Sequence, residues 1–471
     1  MKKILKTFIL IVILAATFLP SSAYAEAKRG TYKNFIYLQD NNEIVIVGWN
    51  GSSKEVTIPE KINGKLVVEI AGQAFAECTS LETVTIPKSV TKIGDFAFYG
   101  CTSLQSVTIP NGVEQIGRAA FCECSALESI KIPDSVSVIM EGAFLECMSL
   151  KEISLPDSVS SIGFYVFAET AYYHNQSNWS DGVLYIGNHL LNASADITEC
   201  EIRQGTKTIA DDAFAGCIQL ETVIIPDSVT SIGREAFQRC DSLTTVLIPD
   251  SVTTIGVGAF CDCSHLTDVI LSANLTELGT NLFNGCSELK RVVMYDSVKK
   301  IGDHVFVNCS ELCCINYIGA EESWEAIEFE SEAYGVEADE ISVRLIDDSA
   351  ILLTIGKKEA IISGKVVQND VAPMIVNDRT MLPIRFVAEG LGAEVLWSSS
   401  EPNQVYLKKE GLEIVITIGA KTAMVNQQEI SLDSPAFIKQ NRTYLPIRFV
   451  AEYLGAEVEW DENTESVMIT K

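Results

Sequence analysis

Ten phenylalanines set the terms for this chain. Phe75, Phe98, Phe121, Phe144 and Phe167, then Phe214, Phe237, Phe260, Phe283 and Phe306, stand 23 residues apart, with a single step of 47 in the middle. A fixed period of roughly 20 to 50 residues is the signature of a solenoid, in which each unit buries its apolar face only against its neighbours. In the rung that starts at Leu81, the residues Leu81, Val84 and Ile86 form a short strand. Pro87 ends it, and Val90, Ile93, Ala97 and Phe98 turn a second apolar set inward. Proline closes each strand because it has no backbone donor to continue a ladder. It recurs at Pro59, Pro110, Pro133, Pro156, Pro226 and Pro249, whereas Ser272 and Tyr295 take its place in later rungs. The pattern predicts a parallel strand ladder of ten rungs.

The segment "IPDSVTSIGREAFQRCDSLTTV" from Ile225 resembles the BspA-type leucine-rich repeat of bacterial and protozoan surface proteins. The likeness implies an α/β leucine-rich-repeat solenoid over residues 58–330, displayed outside the cell, adhesive and without catalysis. Residues 26–57 resemble the family's amino-terminal strand cap, and "YIGAEESWEAIEF" from Tyr317 its closing segment over 317–330. Terminal rungs need such caps because their open faces are apolar.

Export is expected from the amino terminus itself. Lys2, Lys3 and Lys6 precede the apolar run Phe8 to Leu19, and Ala23-Tyr24-Ala25 supplies a cleavage pattern, so residues 1–25 read as a signal peptide. The run is shorter than the ~20 apolar residues a bilayer span requires. Loss of three lysines and no acids takes the formal charge from −28 to −31. That acidity argues against nucleic acid or anionic lipid as partner.

Nine of the 14 cysteines share one column of the repeat: Cys78, Cys101, Cys124, Cys147, Cys217, Cys240, Cys263, Cys286 and Cys309, with Thr170 in the remaining place. A position that accepts threonine wants a small, weakly polar side chain, so these read as buried structural thiols. Side chains repeated in register also point in parallel, a poor geometry for disulfides. Cys200 falls in a core column. The vicinal pair Cys313 and Cys314 lies at the last rung, either covered by the next domain or available as a redox or interchain thiol. The histidines His174, His189, His265 and His304 form no metal or nucleophile motif, so neither enzyme chemistry nor a cofactor is expected.

Two candidate contact surfaces follow. The insertion near 171–196 concentrates Tyr172, Tyr173, Trp179 and Tyr185 around a hairpin expected to leave the solenoid, serving either as a binding element or as packing against it. On the outward side of the strands, Ile224, Leu247, Ile270 and Val293 form an apolar stripe rimmed by Thr222, Thr245, Asp268 and Arg291. Such a stripe marks either a protein contact or a surface covered by the following domain.

Residues 331–349 are acidic and unpatterned and read as a linker. Beyond them the period becomes 63: "NDRTMLPIRFVAEGLGAEVLW" from Asn377 returns as "QNRTYLPIRFVAEYLGAEVEW" from Gln440. Pro383 and Pro446 open short helices that Gly392 and Gly455 end, and strands follow, giving an α+β two-copy domain over 350–411 and 412–471. The copies resemble the copper amine oxidase amino-terminal-like domain, also called a stalk domain, which implies an envelope-associated module. With no histidine beyond His304, no copper is expected. Arg379, Arg385, Arg442 and Arg448 are read as pairing with the neighbouring acids Glu389 and Glu452 or as contacting an anion or glycan. Taken together, the chain is expected to be an exported recognition protein whose partner is a protein or cell-surface glycan bound through the strand face. The alternative is an architectural envelope protein whose C-terminal copies bind wall glycan or peptidoglycan.

Overall fold

The computed structural model describes residues 27–330, 342–346 and 350–470. The signal peptide and most of the expected linker lie outside the described residues.

Every 23-residue rung contributes two strands. The longer ones stack in parallel and are hydrogen-bonded in runs, from Glu55–Thr57, Thr83–Thr85 and Ser106–Thr108 at one end to the five-stranded run that closes with Arg291–Tyr295, Cys314–Ile318 and Ser342–Ile346. Two-residue strands such as Lys92–Ile93, Gln115–Ile116 and Val138–Ile139 form the second ladder, also parallel and in strict register. The last of the long strands, Ser342–Ile346, falls inside the stretch read as linker.

The third side carries no helix, so the expected α/β solenoid is in fact poor in helix. Its backbone explains this. Phe96, Ala119, Tyr165, Asp212 and Glu235 occupy one column, and each has a positive φ between 49° and 58°. A left-handed residue interrupts a right-handed helix. The run instead turns its N–H groups toward the next rung: Phe75 donates to Ala97 O at 2.8 Å, Phe98 to Ala120 O at 2.7 Å and Phe121 to Ala143 O at 2.8 Å. Adjacent rungs approach so closely here that a Cβ on Gly256 would lie 2.3 Å from the Arg234 nitrogen.

Inside, the phenylalanines stack. Ring centroids from Phe75 to Phe167 lie 5.0 to 5.4 Å apart and nearly parallel, and the series resumes from Phe214 to Phe306. The template residues Leu81, Val84, Ile86, Val90, Ile93, Ala97 and Phe98 are all buried. Across the insertion the core divides into two clusters, one running to Phe167 and taking in Ile186 and Ala210, the other beginning at Val183.

All 14 cysteines are thiols outside any disulfide. Column thiols donate to the phenylalanine carbonyl of the preceding rung: Cys101 to Phe75 O, Cys147 to Phe121 O and Cys263 to Phe237 O, each at 3.1 Å. Thr170 departs from the column because its hydroxyl bonds Phe167 O at 2.8 Å and caps the helix Ala171–His174 by accepting from Tyr173 N–H. Burial pushes the Cys101 and Cys309 thiols up to about 12.

The amino-terminal strands Lys28–Tyr32, Phe35–Asp40 and Glu43–Trp49 lead into Lys65–Ile70 and close one end of the short-strand ladder. At the other end Trp324 packs against Tyr317 and Phe329, with centroids 5.2 and 5.7 Å away.

The 63-residue copies interlock. Beside a four-stranded sheet that pairs Arg379–Pro383 with Arg442–Pro446 lie two five-stranded ones: one orders Lys365–Gln368, Glu359–Ile362, Ile351–Thr354, Ser466–Thr470 and Glu457–Asp461; the other orders Glu394–Trp397, Gln404–Lys409, Leu412–Thr417, Thr422–Val425 and Gln428–Ser431. Each five-stranded sheet takes three strands from one copy and two from the other. The helices Ile384–Gly390 and Ile447–Tyr453 share a single core between the sheets. Thus the copies are repeats in sequence but not separable units in space.

Phe121→Ala removes a fully buried ring from between two others and is expected to lower stability by about 3–5 kcal/mol in urea unfolding. Iodoacetamide at pH 8 should modify the partly exposed Cys313 first in the native chain, while Cys124, Cys147 and Cys286, held protonated by burial, react only after unfolding.

Candidate functional site

The outward column of the long ladder runs Leu247, Ile270, Val293 and Asn316 in direct register. Exposure along it is uneven. Ile224 is 60% exposed and Leu247 37%, whereas Ile270 is 8% and Val293 0%. The expected four-residue open stripe is therefore corrected: its second half is covered. Ala350, Leu352 and Ile361 of the C-terminal domain pack with Ile270, Val293, Tyr295 and Ile318 into one apolar cluster. Aliphatics on adjacent rungs are as fit to bind that sheet as any outside protein.

Polar groups lock the junction. Arg291, 5% exposed, is an interior cation rather than a rim residue. Its guanidinium meets Asp268 Oδ1 at 2.8 Å and donates to Thr354 Oγ1, and Lys357 approaches Asp268 Oδ2 at 3.8 Å. Arg344 pairs with Asp461 at 3.2 Å. Thr222 stays exposed and Thr245 half-buried. What remains is a groove of about 260 Å³ where the strand face meets the C-terminal domain, bounded by Ile224, Leu247, Asp268, Lys357, Glu359 and Gln368.

The insertion differs from expectation as well. Its hairpin, Val183–Ile186 and His189–Ala193, does not leave the solenoid: the second strand pairs in parallel with Thr208–Ile209. Val183, Leu184, Tyr185 and Ile186 are all buried, a run too apolar to stand in water. Tyr185, 9% exposed, lies under the Arg203 guanidinium at 4.4 Å, and its carbonyl accepts from the Tyr172 hydroxyl at 2.9 Å. These two aromatics are packing. Tyr173 and Trp179 instead line a separate cleft between the Phe167 and Phe214 rungs.

No nucleophile assembles at the cysteine column. The Cys263 thiol is buried against Phe237 O, while His265 bonds Asp241 O and Ser264 at the surface. Of the vicinal pair, Cys314 is 2% exposed and Cys313 is partly open. In the C-terminal domain Arg385 and Arg448 pair with Glu389 and Glu452 at 3.7 and 3.9 Å. Arg379 and Arg442 pair across copies, with Asp433 and Asp370. Those crossed pairs are invisible to a reading that treats each copy alone.

A family model for the BspA type leucine rich repeat region matches residues 68–197 and 184–313. A second, for the copper amine oxidase N-terminal domain, matches 328–403 and 399–469. The residues present do not fit copper: from Ala350 onward there is no histidine or cysteine, and no three potential ligands cluster among the described residues. Similar solved structures include a leucine rich cell surface protein from Faecalibacterium prausnitzii, 27% identical, covering 64% of this chain and 98% of that one with a TM-score of 0.29. A leucine-rich repeat protein from Bacteroides ovatus is 22% identical over 68% and 98%, with a TM-score of 0.28. The pneumococcal vaccine antigen PcpA is 20% identical over 68% and 93%, with a TM-score of 0.31. No curated protein matches the chain.

Asp268→Ala strands the buried Arg291 charge and is expected to destabilise the junction by about 3–5 kcal/mol, read as a lower urea midpoint. Replacing Asp268 and Arg291 together, by Leu and Met, should recover most of that loss.

Proposed function

We propose that this chain, which belongs to the BspA-type leucine-rich repeat family, is an exported, non-catalytic recognition protein that binds a macromolecular partner at the cell surface. The partner, a protein or a surface glycan, meets the uncovered part of the strand face. The observation that carries this reading is the juxtaposition of Ile224 and Leu247, exposed on consecutive rungs, with the groove wall formed by the C-terminal domain. An apolar patch beside polar walls is the usual anatomy of a contact centre. Both matched family models are non-catalytic modules, which supports a role without chemistry. No helix among the described residues is long and apolar enough to cross a membrane.

A second reading makes the C-terminal domain the attachment module, binding wall glycan. The observation in its favour is that Trp397 and Trp460, equivalent in the two copies, are 58% and 39% exposed. Exposed indole faces stack on sugar rings.

A photo-crosslinker at Leu247 of the full chain should capture a surface species that the same probe at Thr108 does not. Ile224→Glu with Leu247→Glu should weaken that complex at least about tenfold without changing the melting temperature. Equal capture from both positions would remove the strand face from consideration. Sedimentation with purified walls that is lost only on Trp397→Ala with Trp460→Ala would favour the second reading.

A further inference from the structure

The hairpin opens a space in the solenoid. From Phe75 to Phe144 and from Phe214 to Phe283 each column phenylalanine N–H bonds the next rung, but the Ala213 carbonyl that Phe167 would meet accepts instead from Ala193 N–H at 2.7 Å. No bond from Phe167 or Glu169 to the following rung is present among the described residues. The result is a cleft of about 410 Å³, within the range of roughly 300–1,000 Å³ typical of small-ligand pockets.

Aromatic rings and carboxylates line it. Tyr165, Tyr173 and Trp179 supply the rings, with Tyr173 and Trp179 edge to face at 5.5 Å. The Trp179 indole is fixed by its Nε1–H, which donates to Tyr173 O at 2.8 Å. Glu169, Asp211 and Asp212 supply the acids, and no lysine, arginine or histidine lines the cleft. Glu169 is engaged by His174 Nε2 at 3.2 Å, and Asp211 accepts from Arg234 N–H at 2.7 Å. Asp212 is different. Its carboxyl is acted on by burial and by the charges of Glu235, Asp211 and Arg234, with no hydrogen-bond donor among these influences.

A cavity walled by π faces and acids, with no cation among its lining residues, attracts positive charge carried on an apolar body. We propose that this cleft binds an organic ammonium ion, held among the rings of Tyr165, Tyr173 and Trp179 and neutralised chiefly by Asp212. The site is separate from the strand face and does not depend on the function proposed for that face.

Burial raises Asp211 to about 6 and Asp212 to about 7. Groups facing them are Tyr165 from the preceding rung, Glu141 near Asp211, and Arg234 and Glu235 from the following rung. An ammonium ion therefore binds the ionised acids and is released as they protonate. With the folded carboxyl raised, Asp212 contributes its full share of stability below its ordinary value of 3.8 and loses it progressively as the pH rises from there through about 7.

The test is isothermal titration of the full chain at pH 8 with butylammonium and with Nα-acetyl-lysine amide, using 1-butanol as the neutral counterpart. At least one ammonium should bind saturably and at least about tenfold tighter than butanol, weakening about tenfold or more by pH 5. Butylammonium alone assigns the site to free amines; acetyl-lysine amide binding assigns it to a lysine side chain of a protein. Asp212→Asn should cut affinity at least about tenfold while melting higher than the parent at pH 8 and nearly equally at pH 4, because asparagine tolerates the left-handed backbone there. Trp179→Leu is the second variant and should also weaken binding. Failure of both ammonium ligands, equal binding of butanol, or unchanged affinity in Asp212→Asn would overturn the assignment.

Discussion

Everything in this molecule depends on one rung lying flat on the next. Three features enforce that stacking: parallel ladders on two sides, a rung-to-rung set of amide bonds on the third, and a column of phenylalanine rings about 5 Å apart through the middle. Remove the neighbour and a rung has neither a core nor partners for its backbone. The cysteine column belongs to the same constraint. A thiol is small enough to leave the ring stack undisturbed and still donates to the carbonyl below, which a valine cannot do.

Because the stacking is repetitive, interruptions are where the molecule acquires individuality. The insertion splits the core and spaces two rungs apart, leaving a cleft walled by side chains that no regular rung presents. At the other end, the outward aliphatics of the last rungs accept a sheet of the C-terminal domain, so that Arg291 becomes an interior cation. Uniform rungs build the scaffold and irregular ones shape its surfaces.

The period was legible because it is written in large apolar residues at fixed spacing, and its consequences for the core held down to Val90 and Phe98. The turn side was not legible. Left-handed backbone falls on Phe96, Ala119 and Tyr165, residue types that do not advertise it, so the sequence carried no sign that this side turns without helix. The hairpin was visible as a turn signal at Gly187-Asn188, but its destination depended on burial of both faces of Val183–Ile186, which four consecutive apolar residues could have indicated. Coverage of Ile270 and Val293 involves residues more than 50 positions away, and periodicity carries no information about such contacts. Asp212 gave no signal at all, since its importance comes from the gap beside it.

The exchange of strands between the two 63-residue copies has a mechanical consequence. The first strand of the domain and its last lie side by side, with Ile351 opposite Ile469, so the chain enters and leaves the domain at the same end of one antiparallel pair. Tension applied between these two points would peel the pair apart one hydrogen bond at a time, the weak direction for a sheet under load. Tension that entered through the solenoid would also load the Arg291, Asp268 and Thr354 contacts, which tie the same first strand to the outward face of the rungs.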